Sequence, residues 1–183
     1  HKSEFASLRK QNVTLRLMEI ITFLFVWLGG AALTLFALNF SQLSIRFPLQ
    51  GIGIFLCGLS FFVLFLEVHE GMHSILFKNK FLNDLVSFLF CLPLFMSLTG
   101  AVVLHLRHHR YVGGQEDPDE YRFYAKTKLG LWLLYYGRVF IAPLIYVFLI
   151  PILGYHHSTP RQRIRLILEW VLMLCVYTFI FTR

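Results

Sequence analysis

Two clusters of histidines have a spacing that could bind metal ions. The first lies in the stretch HEGMH, residues 69–73, and the second in HLRHH, residues 105–109. The histidines concerned are His69, His73, His105, His108 and His109. On a helix, residues three or four positions apart share a face, with Cβ atoms ~5 to 6 Å apart. Each cluster can therefore direct several imidazoles at one metal site.

The first cluster also matches H-E-x-x-H, a pattern that supplies two zinc ligands and a general base. A zinc hydrolase of this type would use His69 and His73 as ligands and Glu70 as the base. It needs only one further ligand, and three additional histidines exceed that need. An imidazole-rich set fits a pair of iron ions better. Glu70, turned about 100° from His69, would then orient a ligand or face water.

Several other polar residues and the cysteines could have a structural role and not a role at a metal site. Asp117 and Asp119 could hydrogen-bond imidazoles of the second cluster, or could form a turn after Gly113. His156 and His157 are predicted to be loop residues. The three cysteines lie inside apolar runs and are predicted to be free thiols.

The strongly apolar composition indicates that transmembrane helices position these clusters. Hydrophobic residues make up 57% of the chain and aromatic residues 17%, and the mean hydropathy is +0.64, which indicates a membrane protein. The prediction is an all-α polytopic fold with about four transmembrane helices forming two hairpins, within a single domain over residues 1–183. The predicted spans are residues 17–39, 48–68, 137–155 and 165–182. Residues 81–98, interrupted by Asp84 and Pro93, are predicted to form an interfacial helix.

The net charge of +7 comes from basic residues beside the spans and does not indicate nucleic-acid binding. They precede the first span and fill the segment between the second and third, which places the amino terminus and the histidine clusters in the cytoplasm. The basic residues before the first span are Lys2, Arg9, Lys10 and Arg16. One cluster of basic residues does not fit this orientation. Four spans would place the link at residues 155–165 on the side opposite the cytoplasm, and this link contains Arg161, Arg163 and Arg165.

The sequence resembles the membrane fatty acid desaturase and hydroxylase superfamily, which includes the carotenoid hydroxylases and ketolases. The resemblance rests on HEGMH, on HLRHH and on the following EDPDEY. It implies a cytoplasmic, histidine-ligated diiron centre in which His69, His73, His105, His108 and His109 bind iron. Such a centre activates dioxygen to attack a C–H bond of a lipid chain.

The resemblance further implies a lipid substrate within the bilayer and an electron donor of the ferredoxin or cytochrome b5 type. Fatty acyl desaturation is the favoured activity, and carotenoid ketolation or hydroxylation is the alternative within the superfamily. A zinc hydrolase using HEGMH and a metal-free membrane scaffold are alternatives of other classes. The superfamily's third histidine cluster is expected after the fourth span. The chain is therefore expected to be a fragment truncated at its C-terminus, with an incomplete metal site and inactive by itself.

Overall fold

The computed structural model of the chain describes residues 13–182, apart from the side chains of residues 138–146. This part of the chain forms helices and turns without a strand, as the all-α prediction requires. In chain order the helices are α1 (Val13–Phe36), α2 (Leu43–Met72), α3 (Lys80–Cys91), α4 (Leu98–Tyr111), α5 (Lys128–Trp132), α6 (Arg138–His157) and α7 (Pro160–Phe181). The chain divides into two compact units, one ending at Phe90 and one beginning at Cys91.

Three of the described helices are long and apolar enough to cross a bilayer: α1 with the turn that continues it, α2 and α7. About 20 apolar residues suffice for ~30 Å of hydrocarbon, and α2 has 30 and α7 has 22. Their apolar side chains face outwards, as Phe25 and Phe55 do with 70% and 68% exposure. Such a surface suits lipid and not water. The third predicted span, residues 137–155, coincides with α6 (Arg138–His157) and stays a prediction.

In the first unit, α1 and α2 pack side by side and run in opposite directions. Gly30 and Gly53 allow the two backbones to approach closely, since a Cβ atom at Gly30 would lie 2.8 Å from the carbonyl oxygen of Gly53. Small residues at such crossings are typical of helix pairs in membranes. Arg16 near the start of α1 meets Glu67 near the end of α2. The pair has the geometry expected of the first hairpin.

The predicted interfacial helix over residues 81–98 is wrong in its extent, because the helix ends at Cys91. Pro93 follows, and Phe95 has a positive φ of 50°, which a helix cannot contain. A new helix, α4, then begins at Leu98, and the Ser97 hydroxyl accepts a hydrogen bond from the N–H of Gly100. Serine at this position is a strong helix start signal.

The three arginines at residues 161, 163 and 165 lie inside α7 and not in the link that was predicted to contain them. Thr159 caps the helix by accepting a hydrogen bond from the N–H of Gln162, whose side chain accepts one in return from the N–H of Thr159. Pro160 occupies the first turn, where a missing N–H has no cost. Ser158 and Thr159 alone therefore join α6 to α7.

In the second unit, the end of α6 lies along α4, from Gly100 towards Arg107. Gly154 packs against Gly100, since a Cβ atom added at Gly154 would lie only 2.7 Å from the Cα atom of Gly100. Further along, burial and the positive charge of Arg107 lower the pKa of His157. α6 and α4 run in the same direction where they cross, which brings the link after α6 near Arg107 and does not fit four spans that put this link on the opposite side.

We expect cysteines introduced at Glu116 and at His156 to be labelled by an impermeant thiol reagent from the same side of the membrane. Both positions are exposed and belong to the end of the second unit that carries the second histidine cluster. The measurement uses a background in which the three native cysteines are replaced, and that background without added cysteine is the control. Labelling from opposite sides would contradict the arrangement of α4 and α6.

Candidate metal centre

The first histidine cluster lies at the C-terminal end of α2. The helix continues to Met72, beyond the predicted limit of 68, so His69 is in its last turn and His73 is the residue that caps it. The two imidazole rings meet edge to face with their centroids 5.0 Å apart. The spacing of four residues thus produces the neighbouring rings that it predicts. The C-terminal end of a helix is also the negative end of its dipole, which favours cations.

The carboxylates next to this cluster bind Arg16 of α1. Its guanidinium contacts Glu67 at 3.1 Å and Glu70 at 2.5 Å. Glu19, one turn further along α1, is a third partner at 3.1 Å. Glu70 had been predicted to orient a ligand or to face water, and Arg16 is a partner that this prediction did not consider. A general base on a zinc-bound water needs a carboxylate free to take a proton, so the ion pair disfavours that role.

The loop that follows the first cluster is held by a buried amide that sequence reasoning missed. Asn83 of α3 accepts hydrogen bonds from the N–H groups of Leu76 and Phe77 at 3.1 and 3.3 Å. Its amide group donates to the carbonyl oxygen of Gly71 at 3.0 Å. Gly71 itself lies directly against the side chain of Ser87. The sequence contains one indication of this contact: Asn83 is a polar residue in an apolar helix, and a buried amide needs hydrogen-bond partners.

In the second cluster, two of the three histidines direct their ring nitrogens at each other. The Nε2 atoms of His105 and His109, one turn apart on α4, are 3.0 Å apart. Two nitrogens that are each about 2.1 Å from one ion, at about 90° to each other, are also ~3 Å apart. The separation of the pair is therefore that of two ligands of one metal ion, as well as that of an N–H···N hydrogen bond between the two rings.

His108, the third member, is held by a carboxylate. Its Nδ1 atom lies 2.8 Å from Asp117 Oδ1, while its ring centroid is 5.6 Å from that of His109 and 6.5 Å from that of His105. With an ionised Asp117, Nδ1 carries the proton and donates it to the hydrogen bond. The Nε2 atom is then the deprotonated nitrogen that can bind a metal.

Asp117 performs both roles that the sequence left open. Besides its contact with His108, it accepts hydrogen bonds from the N–H groups of Gly113 and Asp119 at 2.9 Å each, and so closes a turn. Burial alone would raise the pKa of its carboxyl group, but these three hydrogen bonds outweigh burial and the pKa is lowered. Asp119 Oδ2 is 3.9 Å from His108 Nδ1, beyond hydrogen-bonding distance.

The turn after α4 is braced by an ion pair. Arg107 contacts the Glu116 carboxylate at 2.5 Å and donates a second hydrogen bond to its carbonyl oxygen at 3.0 Å. The guanidinium also lies over the ring of Tyr111, 4.8 Å from its centroid. These contacts fix the residue before Asp117, and through it the carboxylate that holds His108.

The comparison with protein families gives a match that covers most of the chain. Residues 46–182, which include both histidine clusters, match the family described as Fatty acid desaturase. The chain belongs to the fatty acid desaturase family. The comparisons with curated proteins and with solved structures gave no match. At the level of the family, this desaturase-family chain is a membrane protein and a lipid-modifying oxidoreductase.

The residues present in this desaturase-family chain fit a non-haem iron site. Imidazole is a good ligand for iron, and the paired Nε2 atoms of His105 and His109 have the separation of two ligands of one ion. His108 has its second nitrogen fixed by Asp117, as metal-binding histidines commonly do. His69 and His73 add a second imidazole pair at the end of another helix.

We expect Asp117→Asn to lower iron affinity by ~10- to 100-fold, the usual effect of losing a hydrogen-bond partner of a metal-binding histidine. An asparagine amide can present its NH2 group to His108, which favours the wrong tautomer. Iron titration of the purified protein, followed by metal analysis, measures the effect. Asp119→Asn is the matched control because its carboxylate is too distant to hydrogen-bond His108. Equal affinities in the two variants would refute the role of Asp117.

Proposed function

We propose that this chain holds part of a diiron centre that oxidises lipid chains, and that its reaction is fatty acyl desaturation. The observation that carries the proposal is the second cluster, in which His105 and His109 direct their Nε2 atoms at each other 3.0 Å apart and Asp117 fixes His108. Membership of the desaturase family supports it. Bound iron would supply the activation of dioxygen that no side chain can provide.

The proposed iron ligands are His69, His73, His105, His108 and His109. Asp117 keeps the His108 Nε2 atom available, and the helical spacing keeps the other imidazoles in pairs. Two iron ions need more ligands than five imidazoles, and the proposal expects the remaining ligands from outside these two clusters. The first and second clusters lie in different units of the chain, and the proposal requires both to reach one centre.

The reaction removes two hydrogen atoms from neighbouring carbons of an acyl chain and reduces dioxygen to water. The balance requires an electron pair and protons from outside the lipid. We propose a donor of the ferredoxin or cytochrome b5 type, and we expect the histidine-bearing helix ends to face the cytoplasm, where such a donor is available. The basic residues between the second and third predicted spans support this orientation.

Metal analysis and a lipid assay together test the proposal. The full-length protein is purified from cells grown with iron, its iron and zinc are measured per chain, and membrane lipids of expressing cells are analysed for new double bonds. Bound iron with new double bonds supports the proposal. Oxygenated carotenoids in cells that make carotenoids would assign the ketolase or hydroxylase alternative. Zinc alone would indicate a hydrolase, and a protein that binds no metal would be a scaffold.

A further inference from the structure

The contacts of Arg16 have a consequence for the first histidine pair. Arg16 lies in α1, and its guanidinium contacts two glutamates that are one turn apart on α2, Glu67 and Glu70. Glu67 is almost fully buried, with 5% of its side chain exposed. A planar guanidinium has several donors in a fixed arrangement and can hold two carboxylates at once.

The same two turns of α2 carry His69 and His73. At about 100° per residue, the face with Glu67 and Glu70 is roughly 110° around the helix from the face with the two histidines. A contact that fixes one face also fixes the rotation of the helix about its axis, and therefore the direction of the other face. His73, as the capping residue, depends on the last turn remaining helical.

We propose that Arg16 is a positioning residue for the first histidine pair. It holds the last two turns of α2 against α1, with the rotation that directs His69 and His73 at the metal. The part of the proposal that concerns metal rests on the proposed diiron function. The part that concerns the order of the last turn does not.

The decisive measurement is amide hydrogen exchange of the metal-free protein in lipid nanodiscs. The peptide covering residues 67–77 contains the N–H groups of Ser74 and Ile75, which donate to the carbonyl oxygens of Gly71 and Glu70. In Arg16→Gln we expect this peptide to exchange about tenfold faster or more, because local opening no longer breaks a buried ion pair. Peptides around Gly30 should be unchanged, since the close crossing there still holds the two helices together.

Two further variants sharpen the comparison. Arg16→Lys keeps the charge but not the two-carboxylate geometry, and we expect an intermediate exchange rate. Lys80→Gln removes an exposed ion pair with Asp84 in the same unit, and we expect no change at residues 67–77. An exchange rate at residues 67–77 that is equal in wild type, Arg16→Gln and Arg16→Lys would overturn the proposal.

Iron titration then separates this inference from the proposed function. If the wild type binds iron, Arg16→Gln should weaken the binding by ~10- to 100-fold, and unchanged affinity would refute the positioning role. If the wild type binds no iron but Arg16→Gln exchanges faster, the diiron function fails while Arg16 still orders the histidine-bearing turn. The two failures are therefore distinguishable.

Discussion

If the proposed diiron centre is correct, His108→Ala will remove bound iron and abolish formation of lipid product. We expect this result because Asp117 fixes one nitrogen of His108 and leaves the other for the metal. His73→Ala should have the same effect from the other cluster. Arg110→Gln, an exposed position on the same helix, is the control and should retain iron and activity. Metal analysis and lipid chromatography measure both outcomes.

Glu70→Gln separates this centre from a zinc hydrolase. A hydrolase using HEGMH needs the Glu70 carboxylate as general base, and its loss would lower turnover by ~10²- to 10⁴-fold while metal stays bound. In the proposed diiron centre, Glu70 is not a base but a partner of Arg16, and we expect oxygen-dependent activity to remain measurable, reduced by ~10- to 100-fold at most. A fully active His108→Ala enzyme would end the diiron hypothesis, whatever Glu70→Gln shows.

Glu169→Ala is the second change for which we expect a large effect, on stability. Glu169 of α7 is buried and accepts three hydrogen bonds at the start of α4. The donors are the hydroxyl of Ser97 at 2.7 Å, the N–H of Thr99 at 2.9 Å and the hydroxyl of Thr99 at 2.6 Å. The N-terminal end of a helix favours a negative charge. Alanine would leave these buried donors without their acceptor.

We expect Glu169→Ala to lower the free energy of unfolding by ~3 to 5 kcal/mol, the usual effect of removing one partner from a buried charged contact. Glu169→Gln keeps one acceptor oxygen and should cost less, about 1 to 3 kcal/mol. Arg165→Gln is the control because Arg165 is half exposed and contacts Glu169 at 3.4 Å, so about 1 kcal/mol or less is expected. Denaturant unfolding in detergent measures all three, and a Glu169→Ala protein as stable as wild type would contradict this account.

Local patterns predicted a good part of this molecule. The four-residue spacing within each histidine cluster is a property of one helix, and the rings indeed meet in pairs. Long apolar runs likewise predicted α1, α2 and α7, because the length and hydropathy of a run are also local properties of the sequence. The role of Asp117 was one of two alternatives, since a D-P-D segment nine residues after His108 can fold back on it.

Contacts between distant residues could not be predicted in the same way. Arg16 and Glu67 are 51 residues apart, and Thr99 and Glu169 are 70 apart. Which cation meets which carboxylate depends on how the helices pack, and a single sequence does not contain that packing. Arg16 was therefore interpreted only as a charge that orients a span. The contact between the end of α6 and Arg107 of α4 could not be predicted either, because it also depends on how the helices pack.

A small tilt of α2 at its close crossing with α1 would become a large displacement at the end of α2 that carries the histidines. From Gly53 to His69 the helix extends for 16 residues (69 − 53 = 16), or roughly 24 Å at ~1.5 Å per residue. A tilt of about 5° at the crossing would then move the imidazoles by ~2 Å, about ten times the ~0.2 Å that metal coordination tolerates. A side chain added at Gly30 would therefore displace the imidazoles of His69 and His73, the proposed metal ligands, even where the helix pair itself still assembles.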